Sequence, residues 1–194
     1  MKLFSSTIAA GALALTAGAA HAEAQNYVLD ASHSQIVFSY NHLGYSTTYG
    51  MFSGFEGEIA FDKENPQNSS VNVAMPVRSM ITGWEKRFDH FMAGDFFGAD
   101  DDSDLVTFSS TGIEVTGDDT ALITGDLTLN GVTQSVVLDA KLNAMGEHPM
   151  AKTEWAGFDA TTTLVRSDFN VGAFAPFVSD EVEVLISIEA MIAQ

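Results

Sequence analysis

Four histidines follow residue 22, namely His33, His42, His90 and His148, and they are the side chains best suited to move protons or bind metal near neutral pH. No two stand at a tight ligand spacing such as His-x-His or His-x3-His. Hydrogen bonding to backbone, at strand ends or on a helix, is therefore their expected role, and His148 beside Pro149 reads as loop. A hydrolase triad lacks its Gly-x-Ser-x-Gly elbow, and neither a phosphate loop nor a dinucleotide fingerprint is present. With no cysteine in the chain, a thiol nucleophile, Cys-ligated zinc, iron–sulfur clusters and disulfides are all excluded. Asp100, Asp101, Asp102 and Asp104 crowd one segment but lack the Gly and terminal Glu of an EF-hand loop, so they read as a solvated turn. Arg166 stands on an otherwise uncharged strand. An ion pair with Asp168 or Asp180 and a hydrogen bond to the polar head of a ligand are equally good readings of it. No metal site, no covalent cofactor and no catalytic residue follow from these residues. An enzyme working through His33, His42 or His90 remains the weaker alternative.

These residues sit in a strongly acidic chain. In 194 residues, 26 Asp and Glu face 8 Lys and Arg, for a net charge of −18. So few basic residues cannot displace counterions from a nucleic acid, and an anionic membrane surface repels the whole. At 46% hydrophobic the chain is nonetheless far from a disordered composition, and its length suits one domain. Lys2 followed by the acid-free stretch Leu3 to Ala20 and by Ala20-His21-Ala22 has the form of a secretory signal cleaved after residue 22. Removal takes away Lys2 and no acid, so the charge becomes −19 on residues 23–194. No cysteine follows the cleavage site to carry a lipid anchor, and no later segment is long enough to span a bilayer. The expectation is a protein exported to a bacterial periplasm, without stable membrane insertion and with a homodimer left open.

The elements that position these side chains alternate with a period of two. Apolar residues recur at every second position in eight runs. They begin with Ile36, Phe38 and Tyr40, then Phe55, Ile59 and Phe61, then Val71, Val73, Met75 and Val77. Val106 and Phe108 continue to Ile113 and Val115 across a bulge near Gly112, and Ala121, Ile123, Leu127 and Leu129 follow. Asn130-Gly131 marks a tight hairpin before Val132, Val136, Leu138, Ala140 and Leu142. Phe158 to Leu164 and Val182 to Ala190 complete the set. Eight such runs mean an all-β fold; a sandwich would alternate in the same way, and the length of several runs favours an eight-stranded antiparallel barrel closing on itself. One segment departs from the period. Thr82-Gly83-Trp84-Glu85 has the form of a capping box, Trp84, Phe88, Phe91 and Met92 share one helical face, and Gly94 is placed to end a short helix near a barrel mouth.

The order of short motifs resembles the YceI-like proteins. Asp30-x-x-His33-Ser34, His42-Leu43-Gly44 and Gly50-x-Phe52-x-x-Phe55-x-Gly57 open the likeness. Arg87-x-x-His90, Asp95-Phe96-Phe97 and Val106-Thr107-Phe108 continue it, and it is strongest from Ile123 to Thr133. Arg166-Ser167-Asp168-Phe169 and Ser179-Asp180-Glu181-Val182 close it, so nearly the whole exported chain is covered. Phe88 and Phe91 replace an acid and a leucine common in the family, and Asn170 stands where many members have glycine. The resemblance implies a lipocalin-like barrel, usually periplasmic, whose apolar interior holds a polyisoprenoid chain, an isoprenoid quinone tail or another long lipid.

On that reading Phe38, Tyr40, Phe55, Ile59, Val73, Met75, Ile123, Leu127, Leu164, Val184 and Ile186 line the interior. Trp84, Phe88, Phe91 and Phe96 close one end, and Arg166 lies near the ligand head. A slip of one residue in any strand would exchange inward and outward sets. Composition alone does not require a cavity, because fourteen phenylalanines fill a solid barrel equally well. A filled barrel used as an interaction module is the other expectation.

Overall fold

The computed structural model describes residues 24–193, so the proposed signal lies outside the described residues. The strands are β1 (Gln25–Leu29), β2 (Gln35–His42), β3 (Ser46–Ser53), β4 (Glu56–Phe61), β5 (Ser70–Pro76) and β6 (Met80–Ile81). Helix α1 (Glu85–Met92) follows, then β7 (Leu105–Val115), β8 (Thr120–Leu129), β9 (Val132–Glu147), β10 (Glu154–Val165) and β11 (Glu181–Ile192). Every pairing is antiparallel.

Eight strands make a closed ring, in the order β1, β4, β5, β7, β8, β9, β10, β11, and β1 pairs back onto β11 to shut it. The remaining three extend the wall at one end. β1 and β2 lie end to end beside β11, the first against Ala190–Ile192 and the second against Glu183–Ser187. β3 pairs with β2 where β4 pairs with β1, so these too form one bent wall element, turned at Gly54 with φ +73°. The antiparallel barrel expected from the alternation is therefore what the chain forms, although β1 and β3 do not appear among the eight apolar runs. β1 is short and contributes only Tyr27 and Leu29 to the core. β3 turns Ser46, Thr48 and Gly50 inward, and only Phe52 signals an apolar face.

At two inward positions glycine makes room for a phenylalanine ring. A Cβ on Gly50 would lie 2.2 Å from Phe38 Cζ, and one on Gly125 would lie 2.3 Å from Phe108 Cζ. Each phenylalanine ring thus crosses to a neighbouring strand and lies on bare backbone. The register of β7 on β8 shifts between Ser110 and Gly112, at the anticipated bulge. Asn130 and Gly131 take φ of 50° and 71°, as a type I′ turn requires. Val77 is corrected: β5 ends at Pro76, and Val77 is buried in a 3-10 turn, Val77–Ser79. Proline has no N–H to continue the ladder there.

The capping box does not form. The helix is capped by Trp84 in an extended conformation, without a side-chain cap bond, and the Thr82 hydroxyl instead donates to Trp84 O at 2.9 Å. The helix ends at Met92 with Ala93 as its C-cap, just before Gly94. Of its apolar residues Met92 is buried, Phe88 and Phe91 are half-buried, and Trp84 is exposed.

Candidate functional site

The inward rows do not meet at the barrel axis. They surround a cavity of about 640 Å³, within the roughly 300–1,000 Å³ of pockets that enclose organic ligands. The barrel is not filled. Ile36, Phe38 and Tyr40 of β2, Ile59 of β4, Val73 and Met75 of β5, and Ile123 and Leu127 of β8 all face this space. Ala160 and Leu164 of β10 and Val184 and Ile186 of β11, beside β2, complete the wall. Every residue expected from the sequence lines the cavity except Phe88: Phe55, Trp84, Phe91, Phe96 and Arg166 are also on it. Phe88 points elsewhere, with the Arg78 guanidinium 5.4 Å from its ring centroid.

Several wall residues escaped the sequence reading. Ala140 and Ala160 are cross-strand partners whose small side chains leave the space open. Both lie in the alternating rows, but alternation alone does not distinguish a residue that fills a core from one that borders a void. Phe174 and Val178 also line the cavity from an irregular segment with no periodicity to find.

One mouth is formed where β2 ends, β11 begins and α1 crosses. Phe91 of α1 meets Tyr40 with ring centroids 6.3 Å apart and Phe96 at 5.4 Å, while Phe174 lies 6.0 Å from Phe96. The polar groups at this mouth include His42, Ser46, Thr48, Lys86, Arg87, His90 and Arg166. Arg87 donates to Thr82 O at 2.9 Å, and His90 Nε2 lies 3.3 Å from an Asp95 carboxylate oxygen. Arg166 makes neither of the expected ion pairs. It donates to four backbone carbonyls, those of Ser179 (2.9 Å), Val171 (2.9 Å), Ala173 (3.3 Å) and Val178 (3.1 Å). Desolvation lowers its pKa, and the charge of Asp180 opposes that shift. Asp180 itself accepts from the Ser167 amide and hydroxyl at 2.9 and 2.6 Å.

The other histidines lie off the cavity. His148 Nδ1 accepts from the amides of Met150 and Ala151, in keeping with a loop role. His33 Nδ1 lies 2.6 Å from Asp30, which raises the histidine pKa and lowers that of the carboxyl. Glu189 stands close enough that the three side chains could share a metal ion, but one Glu189 oxygen already accepts from Trp155 Nε1 at 3.0 Å. The acidic run near Asp101 behaves as a turn, with Asp101 accepting the Ser103 amide at 2.8 Å.

Comparison with known proteins decides the family. The model of the YceI-like domain matches residues 27–190, from within β1 into β11. A UPF0312 protein of Ectopseudomonas mendocina is 40% identical over 172 residues, covering 88% of this chain and 89% of that protein. The chain belongs to the YceI-like family. Another UPF0312 protein, from Pseudomonas aeruginosa, is 37% identical over 191 residues and covers 98% of both chains. Among solved structures, the Campylobacter jejuni YCEI protein is 26% identical with a TM-score of 0.70, covering 79% of this chain and 90% of that one. A polyisoprenoid binding domain from Saccharophagus degradans shares the fold at 15% identity and a TM-score of 0.63, covering 86% of this chain and 98% of that one.

In this YceI-like chain the Asp30–Ser34 motif has a structural task. It breaks the strand between β1 and β2, and Ser34 supplies the missing pairing: its buried hydroxyl lies 3.4 Å from Glu189 O and 3.3 Å from Glu189 N. Asp30 Oδ1 accepts the Ser32 amide at 3.0 Å to hold the turn. Asn170 has φ 59° at the end of a 3-10 turn, Arg166–Phe169, a left-handed position that asparagine tolerates and glycine suits.

Proposed function

We propose that the protein encloses the chain of a polyisoprenoid, such as an isoprenoid quinone tail, or a similar long lipid, and that it carries or stores this lipid in the periplasm after export. The observation that carries the reading is a cavity of about 640 Å³ bounded mainly by aliphatic and aromatic side chains. Each buried CH₂ contributes about 0.8 kcal/mol, so a long isoprenoid does not cross water unaided, and an apolar enclosure removes that cost. Further support comes from the name of the Saccharophagus barrel as a polyisoprenoid binding domain. The acidic outside keeps a loaded barrel in solution. Arg166, Arg87 and His90 gather basic donors at one end of the tube, where a head group with hydrogen-bond acceptors would rest, whereas Asp118, Asp119 and Lys141 border the other end.

This reading requires binding and no turnover. His42→Ala and His90→Ala are expected to leave the stoichiometry of lipid uptake unchanged, whereas an enzyme acting on the bound lipid would lose its product. The direct test is to fill the cavity. Ala140→Phe with Ala160→Phe places two rings side by side on its wall. The double variant is expected to fold and to lose uptake of a polyprenol or quinone by at least about tenfold, through occupied volume alone. Unchanged uptake by the filled barrel would contradict the proposal.

A further inference from the structure

Large apolar side chains are exposed unevenly on this barrel. At the helix end, Tyr45 is 90% exposed, Phe177 75%, Trp84 59%, Phe174 56% and Leu43 48%. At the opposite end the exposed large apolar side chains among the described residues are Val115 and Met150, with no aromatic ring. The five residues come from three segments: the turn between β2 and β3, the start of α1, and the segment before β11. They adjoin one another. The Leu43 amide donates to Phe177 O at 3.0 Å, and the Phe174 ring lies 6.0 Å from His90 of α1.

Two further observations separate this rim from an ordinary loop cluster. Trp84 and Phe174 line the cavity and are also more than half exposed, so one apolar surface runs from the interior out to the rim. Leu43 and Phe174 also hold φ of 58° and 65°, a region that bulky side chains rarely enter. A turn that met only water would place asparagine or glycine there, as Asn130-Gly131 does on this same chain. Strained backbone that presents apolar side chains beside a cavity mouth is the form of a functional edge.

We propose that this rim docks reversibly on the interfacial region of a lipid bilayer and that ligand passes between membrane and cavity through it. The proposal rests on the lipid-binding reading, because such a ligand resides in a bilayer and the continuous apolar path leads there. Tryptophan, tyrosine and phenylalanine favour the headgroup boundary. Charge does not drive the contact. Lys86 and Arg87 stand at the mouth, but Glu85, Asp89 and the Asp100–Asp104 segment lie at the same end of a chain with net charge −18. Docking is therefore expected on zwitterionic lipid, weakened by anionic lipid and restored by salt, the reverse of an electrostatically bound protein.

The test is flotation of the protein with phosphatidylcholine vesicles and with vesicles doped with phosphatidylglycerol, at low and high salt. The wild-type protein is expected to float with phosphatidylcholine, and Leu43→Asp and Phe177→Asp each to reduce the bound fraction about tenfold or more. Neither residue lines the cavity. Asp at position 43 also accepts the left-handed backbone, so the variants are expected to keep their melting temperatures. Uptake of a polyprenol delivered from cyclodextrin is expected to match wild type, while transfer from vesicles slows with docking. Failure of the wild-type protein to float, or variants that float equally well, would overturn the proposal. So would a dimer, seen by sedimentation and dissolved by Phe177→Asp, in a protein that ignores vesicles. Flotation without polyprenol uptake from any source would instead refute the lipid-binding reading.

Discussion

Arg166 holds the cavity mouth through backbone carbonyls rather than through a carboxylate. Its guanidinium gathers the oxygens of Val171, Ala173, Val178 and Ser179, and so fixes the segment that carries Phe174. It stands not on an uncharged strand, as its sequence neighbours suggest, but just past β10, which carries Glu154 and Asp159, in the 3-10 turn Arg166–Phe169. Its partners were not legible in the sequence, because main-chain oxygens leave no side-chain pattern. Arg166→Gln strands several of these acceptors and is expected to cost at least about 2 kcal/mol in urea unfolding. His33 is a second residue with a measurable consequence. The Asp30 carboxylate raises its pKa from the ordinary 6.5, while His33 lowers that of Asp30 from 3.8. The histidine's contribution to stability is full below 6.5 and vanishes as pH rises through the raised value. The aspartate's contribution is present above 3.8 and vanishes as pH falls through the lowered value. In NMR titration His33 is expected above its ordinary value in wild type and back near it in Asp30→Asn. The stability difference between wild type and His33→Ala is then expected to shrink above neutral pH.

At the scale of elements, the long strands β7 to β11 were legible because their inward rows are large and apolar for many residues. β1 and β3 were not. β3 spends its inward positions on Ser46, Thr48 and Gly50, and the glycine is there because the Phe38 ring occupies the space its side chain would need. The same exchange occurs between β7 and β8. Gly125→Ala would set a methyl 2.3 Å from Phe108 Cζ, and is expected to destabilise by about 1–3 kcal/mol. Phe108→Leu in the same chain is expected to recover only part of that loss, because the methyl would also lie 2.7 Å from Ser109 O, and denaturant melts of the single and double variants would show this. The helix was legible in existence and place, but its cap was not, since Thr82 turns to Trp84 O rather than to the Glu85 amide. Phe88 shows the limit of helical spacing, which predicts a shared face but not which neighbour that face meets.

The whole molecule is a closed ring without disulfides, and closure rests on β1 meeting β11 at Tyr27, Leu29 and Ala190, all buried. Acids on the outer face of β11, Glu181, Glu183 and Glu189, alternate with the apolar row that borders the cavity. This division of one strand into an ionic side and a greasy side was legible in alternation alone. The void was not, because hydrophobic periodicity is the same for a filled barrel and a hollow one. The central claim is that the hollow holds a polyisoprenoid, and native mass spectrometry with organic extraction tests it most directly. Protein purified without detergent from its own organism is expected to carry a single long isoprenoid or related lipid per barrel, released on denaturation. A barrel that is repeatedly empty, and that takes up neither quinone nor polyprenol when offered them, would contradict the account.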